Sequence, residues 1–159
     1  MKKFCSFKVN QTKPTEPMKF KKKPAVWFWI VAVLLLLWNI MGLLAFLTEA
    51  VAPQLMTETF NQEQLEMYNN RPSWYMYNFA IAVFAGTFSC IMLLARKKFA
   101  VTLAIFSFLA VLISTGYTVY SGALDLVGMS DKVLFYLVFV FGFILVLFAM
   151  FATRKRWIV

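Results

Sequence analysis

The first long stretch without a charged residue covers residues 24–48 and reads PAVWFWIVAVLLLLWNIMGLLAFLT. A helix of about 20 apolar residues crosses the ~30 Å hydrocarbon core of a bilayer, and these 25 residues exceed that length. Three more uncharged runs, each long enough as well, cover residues 72–95, 99–124 and 133–153. None of them alternates between polar and apolar residues as the strands of a membrane barrel do. The pattern predicts an all-α integral membrane protein, a bundle of four transmembrane helices.

The composition of the 159-residue chain agrees with this fold class. Hydrophobic residues make up 62% of it and charged residues 14%, against about 45–50% and about 25% in a typical soluble domain. The chain has no histidine, and its two cysteines, Cys5 and Cys90, form no Cys-x-x-Cys pair. Ser-His and Cys-His nucleophiles, the usual zinc and haem ligand sets and dithiol chemistry are therefore missing. We expect the protein not to be an enzyme and to hold no metal or cofactor.

Basic residues are concentrated in three of the five polar segments. Residues 1–23 hold eight lysines, and residues 96–98 and 154–156 are two basic triplets. Residues 49–71 and 125–132 together hold only two basic residues but six of the seven acidic ones. By the positive-inside rule, this distribution predicts a multi-pass protein of the bacterial inner membrane with both termini in the cytoplasm, N-in and C-in.

The same features give the predicted domain organisation. Residues 1–23 form a lysine-rich cytoplasmic tail, which we expect to be disordered and to attract anionic lipid of the bilayer. Residues 24–153 form the membrane domain, and residues 154–159 form a basic cytoplasmic C-terminus. The predicted spans cover residues 25–48, 73–95, 99–122 and 133–153. Binding of nucleic acid is not expected, because lysines beside a membrane span are usually a topology signal.

The two outer segments differ in length. Within residues 49–71, the run at residues 57–70 has helical character and ends before Pro72, which predicts a short outer amphipathic helix between spans one and two. We expect this helix to lie on the outer membrane surface, and the alternative is a lid over a pocket that opens outward. Residues 125–132 are predicted to be a plain connector, with Gly128 supporting a turn.

Polar residues within the spans are uncharged, which argues against a proton-driven antiporter and against gated ion conduction. They collect toward the outer ends of the helices, and two interpretations stay open. Asn39 and Asn78 pair with each other across two helices, or the group forms a small polar pocket for a neutral solute. The residues concerned are Asn39, Asn78, Ser114, Tyr117 and Thr118.

Small residues recur every three or four positions in spans one to three and predict close packing between these helices. Span four is instead rich in phenylalanine. The predicted packing residues are Gly42, Ala45, Ala82, Gly86, Cys90, Ser107 and Ala110.

Five short motifs lie along the spans and their connections. They are WNIMG at residues 38–42, YNNRPSW at 68–74, FAG at 84–86, LLARKKFA at 93–100 and GYT at 116–118. Together they resemble a family of small four-span proteins of the bacterial inner membrane, mostly uncharacterised, of which some members are labelled sugar transporters. The resemblance covers residues 20–156, implies the same four-span fold and favours transport, but supplies no catalytic or binding residues. Members of that family usually begin close to the first span, so the first 17 residues depart from the pattern.

Three classes of function follow from these observations. The first is an accessory or structural component of the membrane, and the alternative is a small facilitator or binder of a neutral solute such as a sugar. The second alternative is a membrane enzyme that acts on a lipid or a quinone, which the lack of charged or thiol groups within the spans disfavours. A protein partner would be another membrane protein or a second copy of the chain.

Overall fold

A computed structural model of the chain describes residues 23–58 and 60–158, apart from the side chain of Met56. The described residues form helices joined by short connections, and no strand occurs among them. The helices are α1 (Val26–Val51), α2 (Pro53–Thr57), α3 (Gln62–Asn69), α4 (Ser73–Leu94), α5 (Phe99–Tyr120), α6 (Ala123–Leu126) and α7 (Met129–Arg154). Helices α1, α4, α5 and α7 are long and apolar enough to cross a membrane. The prediction of an all-α, multi-pass membrane protein with a four-helix bundle is confirmed.

The four long helices pack in chain order. Helix α1 lies against α4, α4 against α5, and α5 against α7, so that consecutive helices run in opposite directions. Aromatic rings bridge α7 back to α1, where Trp38 stacks on Phe141 with ring centroids 4.3 Å apart. Since two large rings fill this contact, the α1–α7 side of the bundle is wider than the other three.

The two ends of the bundle carry opposite charge. We call the end formed by α2, α3 and α6 the acidic end. Its described charged residues are Glu49, Glu58, Glu63, Glu66, Asp125 and Asp131, with Arg71 and Lys132. At the opposite, basic end they are Lys23 and the triplets at residues 96–98 and 154–156.

Close packing of α4 on its neighbours depends on small residues. Ala82, Gly86 and Cys90 are buried on α4, and Ser107 and Ala110 are buried on α5. The Ser107 hydroxyl donates to the carbonyl oxygen of Ala82 at 2.6 Å, which requires the two backbones to lie very near each other. On α1, Gly42 and Ala45 are only partly buried.

The buried core is confined to the basic half of the bundle and its middle. Phe28, Cys90, Leu93, Ala100 and Ala104 are completely buried there. Beyond the level of Ala82 and Ala110 toward the acidic end, Glu49 is the one described residue that is buried. The bundle is therefore closed at its basic half and open at its acidic end.

Two connections differ from the predicted ones. The segment between α1 and α4 holds two short helices instead of one over residues 57–70, because Asn61 starts a new helix as the cap of α3. Its side chain accepts a hydrogen bond from the Gln64 backbone at 2.8 Å, and the Gln64 side chain accepts one from the Asn61 backbone at 3.0 Å. The predicted plain connector at residues 125–132 instead contains the end of α6 and the first turn of α7.

The chain after α7 folds back against the basic end. Trp157 and Ile158 are buried, and the Trp157 ring meets Trp27 and Phe28 edge-on with centroids 5.2 and 5.5 Å apart. The predicted C-terminal segment, residues 154–159, thus contributes to the core as far as it is described. The predicted tail at residues 1–23 lies outside the described residues except for Lys23.

Candidate functional site

A cavity of about 260 Å³ lies at the acidic end, where α3 and α6 meet the ends of α4, α5 and α7. Aromatic rings and hydroxyl groups both line it. Its lining includes Tyr68, Tyr75, Tyr117, Thr118, Ser121 and Asp131. A groove of about 490 Å³ adjoins the cavity and shares Met67, Tyr117, Ser121 and Leu126 with it. The site therefore opens toward the solvent at the acidic end.

Helix α3 forms one wall of this cavity and is held at its two sides. The Gln64 side-chain amide donates to the carbonyl oxygen of Leu126 at 2.7 Å, which ties α3 to α6. On the other side, Arg71 forms an ion pair with Glu49 at the end of α1. This arrangement agrees with the alternative of a lid over a pocket, because α3 supplies Gln64, Met67 and Tyr68 to the cavity.

Arg71 is held between two aromatic rings. Its guanidinium carbon lies 4.1 Å from the centroid of the Tyr68 ring and 5.0 Å from that of Tyr75. Both distances are typical of a cation–π interaction. Because Glu49 neutralises the same guanidinium, the cavity has a positively charged group in its wall that is already paired.

The Tyr68 phenol is perturbed by this environment. Partial burial raises its pKa, and the nearby Glu49 carboxylate raises it further, while Arg71 opposes the shift. The phenol therefore remains protonated at neutral pH and keeps its O–H as a hydrogen-bond donor.

Hydroxyl groups of α4 and α5 meet at the bottom of the cavity. Thr118 donates its proton to the carbonyl oxygen of Ser114 at 2.9 Å, so the Tyr75 hydroxyl, 3.3 Å from the Thr118 oxygen, is the donor of that pair. The Tyr117 ring packs against Trp74 and Tyr75 with centroids 5.2 and 5.6 Å apart. Tyr117 and Thr118, two of the predicted polar-pocket residues, thus line the observed cavity.

Asn78 and Ser114 form an interhelical hydrogen bond one level deeper. The Asn78 amide donates to the Ser114 hydroxyl at 2.6 Å and to the carbonyl oxygen of Ala110 at 2.8 Å. Neither residue belongs to the lining of the cavity. Their contacts fasten α4 to α5 directly beneath it.

Asn39 lies deeper still and does not pair with Asn78. Its amide donates to the carbonyl oxygen of Leu35 at 2.8 Å and to the Cys90 sulfur at 3.5 Å. Its side-chain oxygen faces Gly86, which is eight residues from Asn78 along α4, or about 12 Å at 1.5 Å per residue. The expected bond between the two asparagines is absent because they occupy different levels of the bundle.

We expect Asn78→Ala to lower the stability of the folded protein by about 1 kcal/mol, since interhelical hydrogen bonds in membranes average about 0.6 kcal/mol and this amide makes two. Thermal unfolding in detergent measures the change. Asn69→Ala, at the exposed end of α3, is the matched control and should leave the midpoint unchanged. Unchanged stability of Asn78→Ala together with weaker solute binding would place Asn78 in the site instead.

Reasoning from the sequence missed several residues of the cavity. Tyr68 and Arg71 were assigned only to an outer segment, and Asp131 only to a connector. Glu49, which pairs with Arg71 beside the cavity, was likewise placed only in the outer segment. One signal was present, since Glu49 directly follows the first uncharged run and Arg71 directly precedes the second, which puts opposite charges at the same end of two spans. Within residues 23–58 and 60–158, no group of three or more His, Cys, Asp or Glu side chains is placed to hold a metal ion.

No protein-family model, no curated protein and no solved structure matches the chain. The resemblance to small four-span proteins of the inner membrane therefore stays a prediction.

Proposed function

We propose that this protein is a non-catalytic accessory component of the bacterial inner membrane that binds a small neutral solute and does not conduct it. The observation that carries the proposal is the cavity at the acidic end, which combines aromatic rings with hydroxyl groups above a closed core. In this proposal both termini are cytoplasmic, so the cavity faces the outside of the cell.

The chemistry of the cavity favours a neutral, hydroxyl-rich solute such as a sugar. Rings of Tyr68, Tyr75 and Tyr117 line the cavity. The Thr118 and Ser121 hydroxyls donate their protons to backbone carbonyls, and their oxygens keep lone pairs that can accept hydrogen bonds from a solute. The volume of about 260 Å³ lies below the ~300–1,000 Å³ of sites for drug-sized ligands, which suits a small solute. An anionic solute gains little, since the Arg71 guanidinium is already paired and the Asp131 carboxylate lies in the lining.

The closed half of the bundle favours binding over facilitated transport. A facilitator needs a continuous polar path, but Phe28, Cys90, Leu93 and Ala104 are completely buried below the site. Transport would require the helices to separate at the basic end. The facilitator is therefore the second candidate, and the resemblance to proteins labelled sugar transporters is what favours it.

The remaining sequence-based proposals concern partners. The lysine-rich tail at residues 1–23 is proposed to attract anionic lipid, and a protein partner would be another membrane protein or a second copy of the chain. A lipid- or quinone-related enzyme gains no support from the site, where the Glu49 carboxylate is engaged by Arg71.

Binding is tested by thermal unfolding of the purified protein with neutral sugars and polyols, namely glucose, sucrose and mannitol, with gluconate as the charged comparison. We expect at least one neutral compound to raise the midpoint in a saturable manner. Thr118→Val should weaken its binding about fivefold to tenfold, because the isosteric side chain removes a hydroxyl from the cavity.

Thr115→Val on the same helix is the matched control, because Thr115 does not belong to the lining. Equal loss of binding in both variants, or no effect of any neutral compound, would contradict the proposed site. Saturable uptake of the bound sugar by proteoliposomes would establish the facilitator instead.

A further inference from the structure

Two basic triplets lie side by side at the basic end, although 55 residues separate the two sequence segments. The first triplet, residues 96–98, follows α4, and the second, residues 154–156, ends α7. The side chain of Arg96 donates through Nε to the carbonyl oxygen of Trp157 at 2.8 Å, immediately after the second triplet. We call the two segments together the paired triplets.

Both helices end in the same way. Arg96 and Arg156 adopt the left-handed backbone conformation, with φ of 58° and 57°. In each case the next residue donates its backbone N–H to a carbonyl of the last helical turn, Lys97 to Met92 at 2.9 Å and Trp157 to Ala152 at 3.0 Å. Glycine is the usual residue at this position because a Cβ disfavours the conformation. Two arginines in its place keep positive charge there at a cost in backbone energy.

The junction between the triplets is anchored by the core. The Trp157 ring lies edge-on to Phe28 and Phe151, with centroids 5.5 and 5.7 Å apart, and Ile158 is buried beside it. The carbonyl that receives the Arg96 bond is therefore fixed in position. A charged surface that is ordered before a ligand arrives loses less conformational entropy on binding.

Positive charge dominates this surface, since no described carboxylate lies at the basic end. Lys23 and the paired triplets provide seven basic residues at the basic end, and every described acidic residue lies at the acidic end. The exposed members of the triplets are Lys97, Lys98, Arg154, Lys155 and Arg156. The triplets directly follow membrane-spanning helices, so they lie at the depth of the lipid headgroups.

We propose that the paired triplets bind the headgroup of an anionic phospholipid. The positive charge of the triplets favours a ligand with a phosphate group. The apolar surface beside them favours a lipid over a free anion. Phe99 is 59% exposed directly after the first triplet, and Phe151 is 38% exposed one turn before Lys155. Both rings can lie along the acyl chains while the lysines and arginines face the phosphate. This site lies at the end of the bundle opposite the solute cavity.

The proposal is tested with native mass spectrometry of the full chain in a neutral detergent containing equal amounts of phosphatidylglycerol and phosphatidylcholine. The wild-type protein should retain phosphatidylglycerol in preference. The variant Lys97→Gln/Lys98→Gln/Lys155→Gln should retain at least tenfold less, since each basic residue near the surface adds to the attraction. These side chains are exposed, so the fold should persist, and circular dichroism checks this.

Lys132→Gln, which removes a partly exposed lysine at the acidic end, is the matched control and should retain phosphatidylglycerol like the wild type. Equal retention of the two lipids by the wild type, or equal loss in the control and the triplet variant, would overturn the proposal. Displacement of the lipid by millimolar inorganic phosphate would identify a free-anion site and overturn it as well. If the triple variant fails to fold, the unfolding midpoint of the wild-type protein is compared between phosphatidylglycerol and phosphatidylcholine nanodiscs. A higher midpoint in phosphatidylglycerol would support the site, and equal midpoints would contradict it.

Discussion

Arg71→Gln should reduce the free energy of unfolding by about 3 kcal/mol, one of the two largest effects expected from a single substitution in this protein. Glu49 is 8% exposed and sits where α1 leaves the membrane, so loss of the guanidinium leaves a buried carboxylate without its partner. Removing one partner of a buried ion pair lowers the free energy of unfolding by about 3–5 kcal/mol. Because Arg71 is partly exposed, we expect a loss at the lower end of this range. Unfolding in a detergent-to-denaturant titration measures the loss.

The double variant Glu49→Gln/Arg71→Gln separates the ion pair from other roles of Arg71. Because it removes both charges, it should recover most of the stability that Arg71→Gln loses. Glu58→Gln, an exposed carboxylate at the same end, should be neutral. Equal losses in the single and double variants would show that the contacts with Tyr68 and Tyr75, and not the ion pair, hold Arg71 in place.

Gly86→Ala should destabilise the bundle by about 2 kcal/mol. A methyl group at Gly86 would overlap the side-chain oxygen of Asn39 and would lie 3.0 Å from the Ser107 hydroxyl. Both neighbours are held by hydrogen bonds, Asn39 to Leu35 and Ser107 to Ala82, so neither can move without losing one. Overpacking a tight interface costs about 1–3 kcal/mol. Thermal unfolding in detergent reports the change.

Gly116→Ala is the matched control on α5, where an added methyl group meets nothing within 4 Å. It should be neutral or stabilise the helix by up to about 1 kcal/mol, because alanine is the better helix former. Adding Asn39→Ala to Gly86→Ala removes the overlap and should restore part of the loss. A Gly86→Ala protein as stable as the wild type would contradict the close approach of α1 and α4.

The spans could be predicted from the sequence because the physical requirement is local. A helix of about 20 uncharged apolar residues crosses the hydrocarbon core and pairs its own backbone groups, whatever the rest of the chain does. The exact ends depend on contacts elsewhere. Helix α1 continues past residue 48 to Val51, and Glu49 in this last turn pairs with Arg71 just before α4. Trp157 joins the core after the backbone reverses at Arg156.

Only part of the candidate site could be predicted, because its contacts join residues that are distant in the sequence. Helical spacing indicates the depth of a polar residue and the face it shares, but not which neighbouring helix that face meets. Tyr117 and Thr118, predicted as polar-pocket residues near one end of span three, line the cavity at the acidic end. One of the two interpretations left open paired Asn39 with Asn78, but each side chain has its hydrogen-bond partner at its own level of the bundle. Glu49 and Arg71 are 22 residues apart, and only the turn through α2 and α3 brings them together.

The structure divides the bundle into two halves with different roles. The basic half contains the packed core and the paired triplets, and it supplies the rigid base of the molecule. The acidic half contains half-buried polar and aromatic side chains and the cavity. A cavity above a closed base is the arrangement on which the proposed solute binding without conduction depends.

Cysteine labelling of the cavity tests the central claim most directly. In a Cys5→Ser background, Ser121→Cys would place a thiol in the cavity wall, while the native Cys90 is completely buried. We expect a membrane-impermeant maleimide, added outside intact cells, to label Ser121→Cys rapidly and Cys90 hardly at all, and a bound neutral sugar to slow the labelling. Absence of labelling at Ser121→Cys from outside, or labelling that no neutral sugar slows, would contradict an outward-facing solute site.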